Sequence, residues 1–210
     1  VNGSVYFDVS KFEDYGKLSR RKPEELMPGV RAEVREEKED QADFALWIKA
    51  PPEHVMKWSS PWSDGYPGWH IEDTAIAMKY FGPQYDIHGG AIELAFPHHE
   101  AEIAQAEATT GIKPYVKYWI HAGLLTINKE KMSKSVGNVI KVADALEKYS
   151  PETLRLWIAS TQYRKPLDYN EKDLEAAKNK AEKVVVVLRK IKENMDKATS
   201  AKSVFSGQIE

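Results

Sequence analysis

The 210-residue chain is 42% hydrophobic and 30% charged, an ordinary balance for a folded protein with one sizeable core or two small ones. A net charge of −2 excludes a broad basic footprint, so any nucleic-acid contact has to be a local patch. With no cysteine, disulfides and thiolate metal ligands are excluded; there is no signal peptide and no apolar run long enough for a bilayer, so no membrane partner is expected.

The sequence opens at Val1, not Met, and runs straight into strand-like residues, as expected of a piece of a longer protein. Asn2-Gly3 signals a turn, and Val5, Tyr6, Phe7 and Val9 predict a short strand or hairpin. "RAEVREEKEDQ" (31–41) has too few apolar positions for a core and reads as a solvated excursion; "ADFALWIKA" (42–50) predicts a strand with Phe44, Leu46 and Ile48 on one side. Turn residues thicken through "SSPWSDGYPGWHIED", where His70, Glu72 and Asp73 fall at the end of an expected strand. "TAIAMKYFG" predicts a helix closed by Gly82, and "YDIHGGAIEL" a strand ending in the pair Gly89-Gly90. "FPHHEAEIAQAEATTG" predicts a helix begun at Pro97 and stopped by Gly111, and "KYWIHAGLLTI" a further strand. This alternation predicts part of a parallel α/β sheet.

Beyond residue 138 the pattern turns helical. "VADALEKY" and "SPETLRLWIAST" predict two helices, the second capped by Ser150 with Pro151 at its first position. Asn170 caps a third, along which Leu174, Ala177, Ala181, Val184, Val185, Leu188, Ile191 and Met195 form one apolar stripe. The tail from Thr199 is expected to fray.

Two stretches carry chemistry. "NKEKMSKSVGN" (128–138) hangs Lys131 and Lys134 on a Ser/Gly loop; it is either a solvated surface loop or a clamp that closes on a polyphosphate as charge moves onto it. In "FPHHEAE", His98 and Glu102 stand four apart and share a helical face, a spacing that suits one zinc ion and equally an ordinary i,i+4 pair. No Walker A pattern occurs, so phosphate binding here is not of the P-loop kind.

Together, "KMSKSVGN", "PGWHIED", "IHGGAIELAFPHHEAEIAQ" and "VYFDV…YGKLS", in order and spacing, resemble the cysteinyl-tRNA synthetases, class I enzymes with the KMSKS signature, from about Val5 to about Ala177. The resemblance implies an α/β fold: the second half of a class I synthetase Rossmann catalytic domain with part of its connective insertion, followed by a small helical stem-contact domain. Its expected divisions are 1–55 for the insertion, 56–130 for the Rossmann half, 131–138 for the KMSKS loop, 139–199 for the helical domain and 200–210 for a flexible tail. It implies a cytoplasmic ligase that activates L-cysteine with ATP and Mg²⁺ and passes the acyl group to tRNA(Cys). Lys131 and Lys134 would stabilise the departing pyrophosphate, Lys134 with the more direct ATP contact; Gly89, Gly90 and Glu93 would meet the nucleotide, and Glu93 stands where the family usually has Asp. Trp69 and His98 would line the amino-acid side chain. The family reads cysteine with Zn²⁺, which prefers thiolate to hydroxyl. His98 and Glu102 match two of its zinc ligands, and a third, a cysteine in the family, falls on Asp73. No HIGH signature occurs in the sequence, so the chain by itself is expected to be inactive. Two other readings stay open: a mycothiol-type cysteine ligase, and a non-catalytic tRNA-binding module. Residues 171–199 carry eight Lys/Arg against six Asp/Glu, too small an excess to favour the second.

Overall fold

The computed structural model describes residues 1–21, 38–133 and 136–206, the side chains of 199–206 excepted. It divides into two compact units, Val1–Ala122 and Gly123–Glu210.

The first unit begins with an antiparallel sheet in the order β1 (Val5–Phe7), β2 (Phe44–Lys49), β3 (Gly65–Pro67). Phe44 and Ile48 are buried and Leu46 half-buried, as the alternation predicts, and Phe44 stacks on Phe7 with ring centroids 4.9 Å apart. The excursion expected over 31–41 lies largely outside the described residues. Gly68 is extended (φ −66°, ψ 158°), and α1 (Trp69–Phe81) starts directly after it. His70, Glu72 and Asp73 therefore sit in the opening turns of a helix, not at the end of a strand. A Cβ at Gly68 would lie 1.9 Å from the Ala45 carbonyl oxygen, so the entry of α1 is pressed against β2 where only glycine fits.

β4 (Tyr85–Ala91) and β5 (Val116–Ala122) pair in parallel, Tyr85 opposite Val116 through Ala91 opposite Ala122. The crossover between them is α2 (Glu100–Thr110), entered through a wide turn over Ala95–His99 that is kinked at Phe96 (φ −140°, ψ 131°). The kink delays the helix by three residues relative to the predicted start at Pro97. Gly111 closes α2 in the left-handed region (φ 70°), as expected.

α2 is buried at every position from Glu100 to Glu107. Ala101 and Ala104 face one core with Val9, Tyr15, Phe44 and Phe96; Ile103 and Ala106 face another with Ala77, Tyr115 and Val116. Alanine on both sides lets neighbouring elements approach closely, so the three glutamates of this helix are carried inside.

In the second unit, the single strand predicted over "KYWIHAGLLTI" is broken. β5 ends at Ala122, and Gly123 donates its N–H to the Tyr163 carbonyl (2.7 Å) while a Cβ there would lie 2.2 Å from the Lys165 carbonyl oxygen. That close passage turns the chain into another sheet, β6 (Leu125–Ile127) between β7 (Glu130–Lys131) and β8 (Leu167–Tyr169), parallel to β8 and antiparallel to β7. Two helices follow β7, α3 (Val142–Lys148) and α4 (Pro151–Ala159); Ser150 caps α4 by accepting the Thr153 N–H. α5 (Glu171–Ser206) is capped by Asn170 and runs through much of the segment expected to fray. Leu174 and Ala177 join a core with Tyr149 and Trp157, but from Val184 onward the stripe is exposed.

Glu100 accepts hydrogen bonds from the Gly16 N–H (3.1 Å), the Ser19 N–H (2.6 Å) and the Ser19 hydroxyl (2.9 Å), tying residues 16–19 to α2. Replacing it orphans two backbone donors at a buried site. Glu100→Ala is expected to cost about 3 kcal/mol in urea unfolding, and Glu182→Ala on the exposed face of α5 less than about 0.5 kcal/mol.

Candidate functional site

The first unit brings together five of the six histidines of the chain, and the strand register explains how. His88 lies opposite Trp119, and Gly90 opposite His121, so the period of two puts all four on one face of the β4–β5 pair. The turn before α2 lays His98 and His99 across that face, and the first turn of α1 adds Trp69 and His70. Ring centroids run 4.6 Å from Trp69 to His98, 4.9 Å from His70 to His98, 4.9 Å from His88 to His99 and 4.8 Å from His99 to Trp119.

Asp73, His98 and Glu102 converge at the edge of this cluster. His98 Nε2 is 3.1 Å from Asp73 Oδ2 and 3.2 Å from Glu102 Oε1, and each of the three residues offers a ligand atom within 4.8 Å of the others'. The i,i+4 face expected from the sequence survives the kink. Glu102 forms a fully buried floor, whereas the Asp73 side chain is 47% exposed and stands at the mouth. His70 Nδ1 is 2.7 Å from His98 Nδ1, so the other ring nitrogen of His98 is held from behind, as ligating imidazoles commonly are.

The electrostatics single out Glu102. Glu100 is held by the three bonds from residues 16 and 19, and Glu107 accepts the Tyr115 N–H (3.0 Å) and pairs with Lys17. Both oxygens of Glu102 are buried without a hydrogen-bond partner. Burial, with the Asp73 charge beside it, pushes its carboxyl up to about 8. Burial and the neighbouring His98 press His70 down to about 3, and burial lowers His98 against the opposing pull of Asp73. A buried, unpartnered carboxyl group that a cation would strip of its proton, facing a neutral imidazole and with a second carboxyl group at the mouth, is a fitting donor set for a divalent cation.

The remaining expected site residues are distributed more widely. Trp69 is 43% exposed and stacks over His98, on the rim of the cluster. Gly89 is exposed while Gly90 turns to the His99 side, so the glycine pair faces two ways. Glu93 is exposed, in the short turn Ile92–Leu94 after β4. His88, His99 and His121 were not singled out from the sequence; the signal that could have found them is the doublet His98-His99 together with histidines at like-facing positions of two strands.

In the second unit, Lys131 ends β7 and is exposed; Lys134 and Ser135 lie outside the described residues. The neck of the loop is stapled by Asn138, whose Oδ1 accepts the Ser133 N–H (2.9 Å) and whose Nδ2 donates to the Lys131 carbonyl (3.2 Å). Asp168 on β8 holds the near side, accepting the Lys129 N–H (2.7 Å) and the Thr126 hydroxyl (2.8 Å).

The family description "tRNA synthetases class I (C) catalytic domain" matches residues 1–179. The chain belongs to that family. Among curated class I (C) relatives, it is 53% identical over 193 residues to a cysteine–tRNA ligase of Chlorobium chlorochromatii, covering 91% of this chain and 40% of the relative. It is 50% identical over 200 residues to that of Thermococcus onnurineus, covering 95% of this chain and 42% of the relative. The chain thus spans about two fifths of the length of these class I (C) ligases. A crystal structure of LeuRS from Agrobacterium radiobacter K84, in a ternary complex with tRNA and LeuAMS, superposes with a TM-score of 0.51 over 74% of this chain and 22% of that one, at 16% identity. That likeness gives the synthetase catalytic fold alone. Among the described residues no helix is long and apolar enough to cross a membrane.

Hydrogen bonds from the Lys129 N–H and the Thr126 hydroxyl hold the Asp168 carboxyl below the usual aspartate range. The bonds it accepts are therefore complete above an ordinary carboxylate pKa of about 4 and weaken as pH falls through its lower folded-state value. The amide proton shift of Lys129 in acid titration is expected to follow that transition, and Asp168→Asn to flatten it.

Proposed function

We propose that the chain is the part of a cysteine–tRNA ligase that reads the amino-acid side chain and clamps the pyrophosphate of ATP. The observation that carries this is the convergence of Asp73, His98 and Glu102 beside Trp69, with both Glu102 oxygens buried and unpartnered. The names of its relatives support cysteine and a tRNA as substrates; ATP with Mg²⁺ is what the resemblance to the class I synthetases implies. The β4–α2–β5 unit is the second half of the Rossmann domain, and α3 to α5 form the stem-contact domain.

Asp73, His98 and Glu102 would hold the family's Zn²⁺, which when bound distinguishes a substrate thiolate from a serine hydroxyl by softness. Glu102 supplies buried negative charge from the floor, His98 a neutral imidazole oriented by His70, and Asp73 an oxygen at the mouth where the family has sulfur. Trp69 walls the substrate side chain against water. Lys131 and Lys134, on the stapled loop, neutralise charge as pyrophosphate leaves, a step that depends on positioning and electrostatics.

Elemental analysis of the purified chain is expected to show one equivalent of zinc lost on His98→Ala relative to the parent sequence. Free cysteine is expected to induce a charge-transfer band on the cobalt-substituted parent and none on the variant. Zinc content indifferent to His98 overturns the assignment. Asp73→Cys is expected to tighten zinc in chelator competition, because thiolate donates more charge than carboxylate.

ATP–pyrophosphate exchange is expected to be absent from the 210-residue chain and to appear when the preceding part of a relative's sequence is fused to it. In that fusion Lys131→Ala is expected to lower kcat about 10²-fold with zinc content unchanged. Robust exchange by the chain alone would sink the claim.

A further inference from the structure

Lys131 is carried by a small hairpin. β6 and β7 are joined by two residues, Asn128 and Lys129, with Ile127 paired to Glu130 across the turn. Both turn residues lie in the left-handed region, at φ 53° and 67°. A tight turn of that kind matches the twist of paired strands, and its second position favours glycine. Lysine there is held against its own preference. β7 itself is only two residues long, so backbone pairing alone is a weak anchor for Lys131.

Asp168 supplies the anchor. Thr126 lies opposite Asp168 on one side and Lys131 on the other, so the three residues form one row across β8, β6 and β7 and share a face of the sheet. Within that row the Thr126 hydroxyl donates to Asp168 Oδ1 (2.8 Å), and the same oxygen accepts the Lys129 N–H (2.7 Å) from the turn. One oxygen thus ties the middle of β6 and the approach to β7 to a strand residue 39 positions beyond Lys129. A carboxylate in this row repels a polyphosphate, so its charge opposes a phosphate clamp; what it contributes is acceptor geometry.

Building on the reading of Lys131 as a pyrophosphate clamp, we propose that Asp168 is a positioning residue for that lysine. By holding the Thr126 hydroxyl and the Lys129 amide it fixes the hairpin that aims Lys131 at the leaving pyrophosphate. A lysine is a point charge on a flexible stem, so its aim is set by the backbone that carries it.

The test is ATP–pyrophosphate exchange in the fusion with the preceding part of a relative's sequence, with circular dichroism on every variant. Asp168→Ala is expected to lower kcat about tenfold and to leave KM for ATP within about twofold, because aim matters most as charge moves onto the leaving group. Asp168→Asn keeps an oxygen where both bonds end and is expected to recover most of that loss. Added to Lys131→Ala, Asp168→Ala is expected to cost nothing further, because it acts through that lysine. In a Lys129→Gly background Asp168→Ala is expected to cost less, since glycine takes the turn unaided. Full additivity with Lys131→Ala, or Asp168→Asn as poor as Asp168→Ala, overturns the proposal and leaves the clamp standing. Exchange that is indifferent to Lys131→Ala, or absent from the fusion, overturns the clamp and this proposal with it.

Discussion

The structure of the first unit turns on carboxylates taken out of water on one helix. α2 is enclosed between two cores over its whole buried length, yet it carries Glu100, Glu102 and Glu107. A buried carboxylate needs several favourable partners to remain charged, and two of the three glutamates have them. Glu100 draws in the backbone of residues 16–19, and Glu107 draws in Lys17 and the start of β5. These two pin the surrounding chain to the helix, so that Glu102 between them is held in place without any protein donor of its own. Its lack of a hydrogen-bond partner therefore belongs to an arrangement that its two neighbours on the helix hold in place.

Much of this was legible locally. The Pro151 and Ser150 cap, the Gly111 stop, the period of two in β2 and the four-residue spacing of His98 and Glu102 all depend on neighbours in sequence, and all appear in the structure. What depended on distant approach was not legible. The entry of α1 is set by Gly68 against Ala45, and the break between β5 and β6 by Gly123 against Lys165; neither contact leaves a trace in the residues around the glycine. The same holds for the histidine face, because the register of β4 on β5 brings His88, Trp119 and His121 together across a crossover of more than twenty residues.

Asp73 illustrates a different limit. Its place in the chain could be matched to a family cysteine, but its worth as a ligand depends on where the helix puts it. At the mouth of the cluster, half exposed, a carboxylate keeps contact with water and avoids a second buried charge beside Glu102. The half-exposed position is one where the hydration of a carboxylate is least disturbed.

The staple at Asn138 also sets what a single substitution can release. One side-chain amide joins the backbone at Lys131 and at Ser133, and the Gly137 N–H adds a bond to the Ser133 carbonyl (3.2 Å), so the end of β7 and residues 136–138 are held as one piece. Asp168 grips the β6–β7 turn separately, through Lys129 and Thr126. The backbone on either side of Lys131 is thus anchored by two side chains far apart in sequence, and each can be removed without touching the other.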